Sequence, residues 1–143
     1  MLTQMKVHCD KDENAFGFYC GGDAFYEAAL KNKKAMDMVA PDKSPAWRSL
    51  DISILHKLIL EELLDIDEEK LAKGDNLEYV KDTPTAIDDS IAKVDSGQKQ
   101  AAFFVNPVKL QQLKAVTDAG EKMPQKSTYF YPKIYSGLTI NKL

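Results

Sequence analysis

Two segments in the second half of the chain share one pattern, and they constrain the fold more than any other feature. The segments are TPTAIDDSIAKVDSG at residues 83–97 and NPVKLQQLKAVTDAG at residues 106–120. In each, a proline suits the first turn of a helix, and a later glycine suits the position just after its end. Strand-like runs precede both segments, at residues 77–80 and 101–105. This order predicts a βαβα unit with parallel strands and a right-handed crossover, and a last strand is predicted near residues 138–141.

Aromatic runs near the N-terminus predict a β-hairpin. Residues 15–20 and 24–30 are separated by the turn sequence GGD at residues 21–23, and glycine supplies the positive φ angles of tight hairpin turns. Residues 1–14 carry no strong helix start or stop signal, so we expect them to be weakly structured. We therefore predict a single domain over residues 15–143, of the α/β class with α+β as the alternative. In it, the hairpin and the βαβα unit form a mixed sheet with helices.

The most apolar predicted helix covers residues 52–64. Its apolar residues are Ile52, Ile54, Leu55, Leu58, Ile59, Leu60, Leu63 and Leu64. Because they cover more than one face, the helix should be buried on most sides or lie at an interface. If part of this surface is exposed, it should drive self-association, so a homodimer through this helix is a predicted contact. His56 lies on the same helix, either as a satisfied buried histidine or as a functional general base.

The overall composition is that of a globular domain. The chain has 143 residues, of which 44% are hydrophobic and 29% charged, and its net charge is −3. This acidic balance argues against nucleic acid as a partner. No apolar run approaches the roughly 20 residues of a membrane-spanning helix, and no secretion signal is visible. Cys9 and Cys20 lack metal-ligand spacing, so we expect reduced thiols, a cytoplasmic location, and neither a metal nor a cofactor.

The part of the chain after Glu121 contains four lysines and no acidic residue. A lysine, a serine and a threonine follow one another at residues 126–128, and together they can hold an anion by charge and by hydroxyl donors. The glycines of a phosphate-binding P-loop are missing, so we expect a looser anion site, joined by Asn106 at the end of a predicted strand. The alternative is a structural loop whose polar groups bond the backbone. The candidate anion-binding residues are Asn106, Lys126, Ser127, Thr128 and Lys133.

Three stretches of the chain are similar to a known family. They are FGFYCGGDAFY at residues 16–26, LDISILHKLILEELLDI at residues 50–66, and the longer run at residues 94–140. These stretches resemble the C-terminal part of the family called domain of unknown function 1015. The most specific part is MPQKSTYFYPKIYSGL at residues 123–138, and the likeness covers most of residues 15–140.

The resemblance implies that the chain is a fragment or a truncated homologue of a longer protein. Members of that family carry an N-terminal Asp-Gly-His-His-Arg motif similar to that of ParB-like nucleotide-handling proteins. Here that motif is absent, because the only histidines are His8 and His56. The implied role is a non-catalytic accessory or association domain, partnered by a preceding N-terminal domain of the same protein and contacting an anionic or phosphorylated ligand. Two alternatives are the C-terminal half of a ParB-like kinase acting on a small molecule such as free serine, and a ParB-like protein associated with nucleic acid. No catalytic residue is assigned, and we expect no enzyme activity from this chain alone.

Overall fold

The computed structural model describes residues 1–73, 77–81 and 83–128. Its helices are α1 Leu2–Asp10, α2 Ala35–Val39, α3 Pro45–Arg48, α4 Asp51–Ile54, α5 Glu68–Lys73, α6 Ala86–Asp95 and α7 Leu110–Asp118, and its strands are β1 Ala15–Tyr19, β2 Phe25–Ala29 and β3 Ala102–Val105. Helix α4 continues directly into a π-helical segment, Leu55–Glu61. The predicted class, a mixture of helices with a sheet, is confirmed. The strand predicted at residues 138–141 lies outside the described residues.

Strand β1 is the centre of a three-stranded sheet with the order β2-β1-β3. Strands β1 and β2 pair antiparallel, with Ala15 opposite Ala29. The turn between them places Gly21 and Gly22 at φ angles of 89° and 81°, which only glycine adopts without strain. The predicted hairpin is therefore confirmed.

The predicted parallel pairing of the βαβα unit is wrong for the residues that the structure describes. Strand β3 forms where it was expected, but it pairs antiparallel with β1, and Phe16 lies opposite Val105. Residues 77–80 are not part of a strand. The described sheet is therefore antiparallel throughout, rather than mixed. The physical reason is that the aromatic hairpin offers β3 a better surface, since the rings of Phe18 and Phe103 lie 6.3 Å apart across the strand pair.

The hydrophobic core lies between the sheet, the region from α2 to α4, and α7. Its buried members are Phe16, Met36, Ala40, Trp47, Leu50, Ile54, Leu55, Leu60 and Val116. Residues 31–48 contain two prolines and no clean period, a pattern that predicts a loop, but they include α2 and α3. Helix α3 begins because the hydroxyl of Ser44 accepts a hydrogen bond of 3.1 Å from the backbone N–H of Trp47, and Pro45 occupies the first turn. These short helices carry Met36 and Trp47 into the core.

The apolar segment at residues 52–64 is mostly core, which is one of the two predicted alternatives. Leu55 and Leu60 are buried, whereas Leu63 is 76% exposed and Leu64 is 48% exposed. Homodimerisation through this segment stays a prediction, and the surface available for it is the exposed end at Leu63 and Leu64. Asp51 is the first residue of α4 rather than its N-cap.

Residues 1–14 contain helix α1, in place of the weak structure that the sequence predicts. The helix packs on β1 at Gly17, where an added Cβ would lie only 2.8 Å from the sulfur of Met5. Met5 is consequently buried. The sequence signal is weak because this one methionine is the only fully buried residue of the helix.

Candidate functional site

A cleft of about 470 Å³ runs beside β3. Residues 101–108 line it without interruption, and so do residues 77–81. Successive side chains of a strand point to opposite faces of the sheet. A cleft that touches every residue of β3 must therefore lie along the edge of the strand rather than on one face of the sheet.

Four lysines line this cleft, and they come from four separate parts of the chain. Lys81 lies in the segment at residues 77–81 and Lys93 near the end of α6. Lys99 lies in the loop after α6, and Lys126 in the loop after α7. Glu78 is the only acidic residue among the described lining residues. The described lining is therefore net positive, and a cleft lined by one sign of charge concentrates ligands of the opposite sign.

Glu78 is shared between two of these lysines. Its carboxylate forms an ion pair with Lys93 and lies 3.8 Å from the ammonium nitrogen of Lys99. The hydrogen bond from Lys93 lowers the pKa of Glu78 below its usual value. Glu78 is thus ionised at neutral pH, and it offsets only part of the positive charge of the cleft.

Three of the predicted anion-binding residues lie in this cleft. Asn106, Lys126 and Ser127 line it, as the sequence predicts, whereas Thr128 is not among the described residues that form its walls. Lys133 lies outside the described residues. Asn106 does not cap a helix, because the N-cap of α7 is Lys109. These three residues thus line one cleft, and their role in binding an anion stays a prediction.

The loop at residues 126–127 has features of both predicted interpretations. Ser127 donates a 2.6 Å hydrogen bond to the carbonyl of Pro124. Such a bond to the backbone is what the second interpretation, a structural loop, predicts. Lys126 is exposed and has a φ angle of 58°, in the left-handed region that costs a non-glycine residue roughly 1–2 kcal/mol. Such strain concentrates at functional sites. Because Lys126 is an exposed cation in the lining of the cleft, it is a candidate for contact with an anionic ligand.

His56 also lines the cleft, from the π-helical segment. Its Nε2 lies 3.4 Å from the hydroxyl of Tyr79, and the two rings meet edge to face at 6.3 Å. Burial lowers the pKa of His56, so the imidazole is neutral at pH 7. Burial also raises the pKa of Tyr79. The pair therefore offers neutral hydrogen-bonding groups to the cleft.

A second, polar pocket of about 260 Å³ includes Asp51. Asn14 donates to the Asp51 carboxylate at 2.5 Å and to the carbonyl of Ser49 at 3.0 Å. The amide of Asn106 lies 3.5 Å from the same carboxylate. Burial raises the pKa of Asp51, and the two asparagines oppose that rise. The cluster links α4 to the turn after α1 and to the end of β3, so we interpret it as structural.

No known family model, curated protein or solved structure matches this chain. The resemblance to the domain of unknown function 1015 family therefore stays a prediction. Across residues 1–73, 77–81 and 83–128, no group of three or more His, Cys, Asp or Glu side chains is placed to hold a metal ion. Within those same ranges, no helix has the length and apolar character needed to cross a membrane.

Proposed function

We propose that this chain is a non-catalytic accessory domain that binds the anionic group of a ligand in the cleft beside β3. The observation that carries the proposal is the convergence of four lysines on one cleft whose described lining contains a single glutamate. The same cleft is lined by apolar residues that include Leu77, Ile87 and Phe103. A ligand that combines an anionic group with an apolar part fits this combination.

The groups that the described residues bring to the cleft support binding rather than covalent chemistry. The lysines supply charge, and the neutral pair of His56 and Tyr79 supplies hydrogen-bonding groups. The hydroxyl of Ser127 already donates to the backbone. Nucleophilic catalysis needs a hydroxyl or thiol activated by an adjacent, oriented base, and Ser127 is engaged in a turn instead.

An accessory role also implies a partner domain and a compartment. We propose that the ligand is shared with a preceding N-terminal domain of the same protein, as the resemblance implies. We propose a cytoplasmic location because Cys9 and Cys20 are both free thiols.

The alternative with specific support is the C-terminal half of a small-molecule kinase. In it, Lys126 contacts a phosphate group, and the cleft receives the nucleotide or the phosphorylated product. The cationic lining supports this alternative as well. A nucleic-acid partner has less support, because the whole chain carries a net charge of −3.

Thermal unfolding of the full chain with citrate, inorganic phosphate, or ATP with magnesium tests these proposals. A ligand at about 100 times its Kd stabilises the folded form by about 2.7 kcal/mol, which raises the melting temperature measurably. We expect stabilisation by citrate, and its loss in Lys126→Ala. Lys122→Ala is the matched control, because Lys122 is exposed and lies outside the cleft lining.

Equal stabilisation of both variants would contradict the assigned site. Stabilisation by ATP with magnesium but not by citrate would favour the kinase alternative. A net positive cleft should also bind less tightly as salt rises, because salt screens the interaction of exposed charges.

A further inference from the structure

We infer that the anionic ligand is an extended acidic peptide, which adds as a strand along the free edge of β3. This inference rests on the proposed anion binding in the same cleft. It follows from three observations: the edge of β3 that pairs with no other described strand, the length of that edge, and the placement of the lysines around it.

The first observation is the position of β3 at the end of the sheet order β2-β1-β3. Among the described residues, β3 pairs with β1 only, so its other edge faces the cleft. Alternate residues of a strand direct their backbone N–H and C=O groups toward each edge. An added strand would satisfy the groups on this edge, as in peptide recognition by strand addition.

The second observation is the length of the cleft along the chain. Residues 101–108 line it continuously, and the 4 residues of β3 among them, at about 3.3 Å each, extend over about 13 Å. This length matches a short peptide segment better than a single small anion. The 4 residues of β3 would supply a regular ladder, and the residues that flank the strand would guide the ends.

The third observation is that the described chain already places one acidic side chain from a non-helical segment against these lysines. Glu78 lies in the non-helical segment at residues 77–81 and reaches both Lys93 and Lys99. The contact shows that a carboxylate from a non-helical segment fits between Lys93 and Lys99. Because apolar and cationic groups line the same cleft, the fitting peptide alternates acidic with apolar residues.

The experiment measures the fluorescence anisotropy of a labelled eight-residue peptide that alternates glutamate and valine, titrated with the full chain. A peptide of the same pattern with lysine in place of glutamate is the charge control. Two further acidic peptides carry N-methyl groups on one or the other set of alternate residues. N-methylation removes the backbone N–H donor of a residue. In an added strand, the N–H groups of only one set of alternate residues face β3.

We expect the acidic peptide to bind and the lysine peptide to fail. One N-methylated peptide should bind at least tenfold more weakly, and the other should bind nearly as well as the parent. Lys126→Ala should weaken binding of the parent peptide, whereas Lys122→Ala should leave it unchanged.

Equal affinities of the two N-methylated peptides would overturn strand addition. Failure of the acidic peptide, while citrate still stabilises the wild-type chain, would overturn the peptide inference and leave the proposed anion binding intact. Failure of both ligands would overturn both. A stable dimer in sedimentation that excludes the peptide would identify a second copy of the chain as the occupant, and would likewise overturn the inference.

Discussion

Replacing Leu60 with alanine tests whether the apolar helix is core or interface. Leu60 is only 1% exposed and belongs to the central cluster. Leucine to alanine removes three carbon atoms, and at about 0.8 kcal/mol each the lost transfer energy is about 2.4 kcal/mol. The cavity left behind adds to this loss, so we expect a total decrease in the free energy of unfolding of about 3–5 kcal/mol.

Leu63→Ala is the matched control, because the same substitution falls three positions later on a side chain that is 76% exposed. We expect its effect to stay within about 0.5 kcal/mol. Urea unfolding followed by circular dichroism measures both variants. With a denaturant slope of about 2 kcal/mol per M, Leu60→Ala should lower the midpoint by about 1.5–2.5 M, and Leu63→Ala should hardly change it.

Two results would refute this reasoning. The first is a decrease in the free energy of unfolding that is as large for Leu63→Ala as for Leu60→Ala. The burial of the two side chains would then be misassigned. The second is an unfolding midpoint that rises with protein concentration and falls in Leu63→Ala, which would show that the exposed end of the segment is covered by another copy.

Three further predictions concern the polar groups. Burial raises the pKa of Asp51 above its ordinary value of 3.8, so the ionised carboxylate lowers the stability of the folded chain at higher pH. Asp51→Asn should therefore be more stable than wild type at pH 7, and the difference should vanish below pH 3.8. Urea unfolding of both proteins across this pH range measures the difference. The hydrogen bond to Asp95 raises the pKa of Tyr19 to about 12, so Tyr19→Phe should remove the most alkaline step from the tyrosinate absorbance titration, whereas loss of an earlier step would contradict the assignment. Glu78→Gln should tighten citrate binding about two- to fivefold in calorimetry, since it frees Lys93 and Lys99; weaker binding would show that Glu78 positions the ligand.

The sequence predicts the elements whose signals are local. The glycine turn and the aromatic runs are sufficient to predict the hairpin. Gly97 and Gly120 follow α6 and α7 with positive φ angles, as expected of glycines after helix ends. The helix starts are shifted, because Ala86 and Leu110 begin the helices two and three residues after the prolines. Strand pairing was not predictable, since the partner of β3 is chosen by aromatic packing between residues far apart in the sequence.

The candidate site was predicted in part. Lys126, Ser127 and Asn106 were proposed from their own segments and share one cleft. Lys93 and Lys99 were missed because a single lysine near the end of a helix is also what the helix dipole favours, so nothing local marks it as functional. Only the packing of α6 beside β3 brings these lysines together with Lys126.

The most direct test of the proposed anion site is a nitrogen-15 correlation spectrum of the full chain titrated with citrate at low salt. If the cleft beside β3 binds the anion, saturable amide shifts should be concentrated at residues 77–81 and 101–108 and around Lys126. These shifts should be lost in Lys126→Ala. Saturable shifts centred instead on the polar pocket around Asp51, or shifts identical in wild type and Lys126→Ala, would contradict the proposed site.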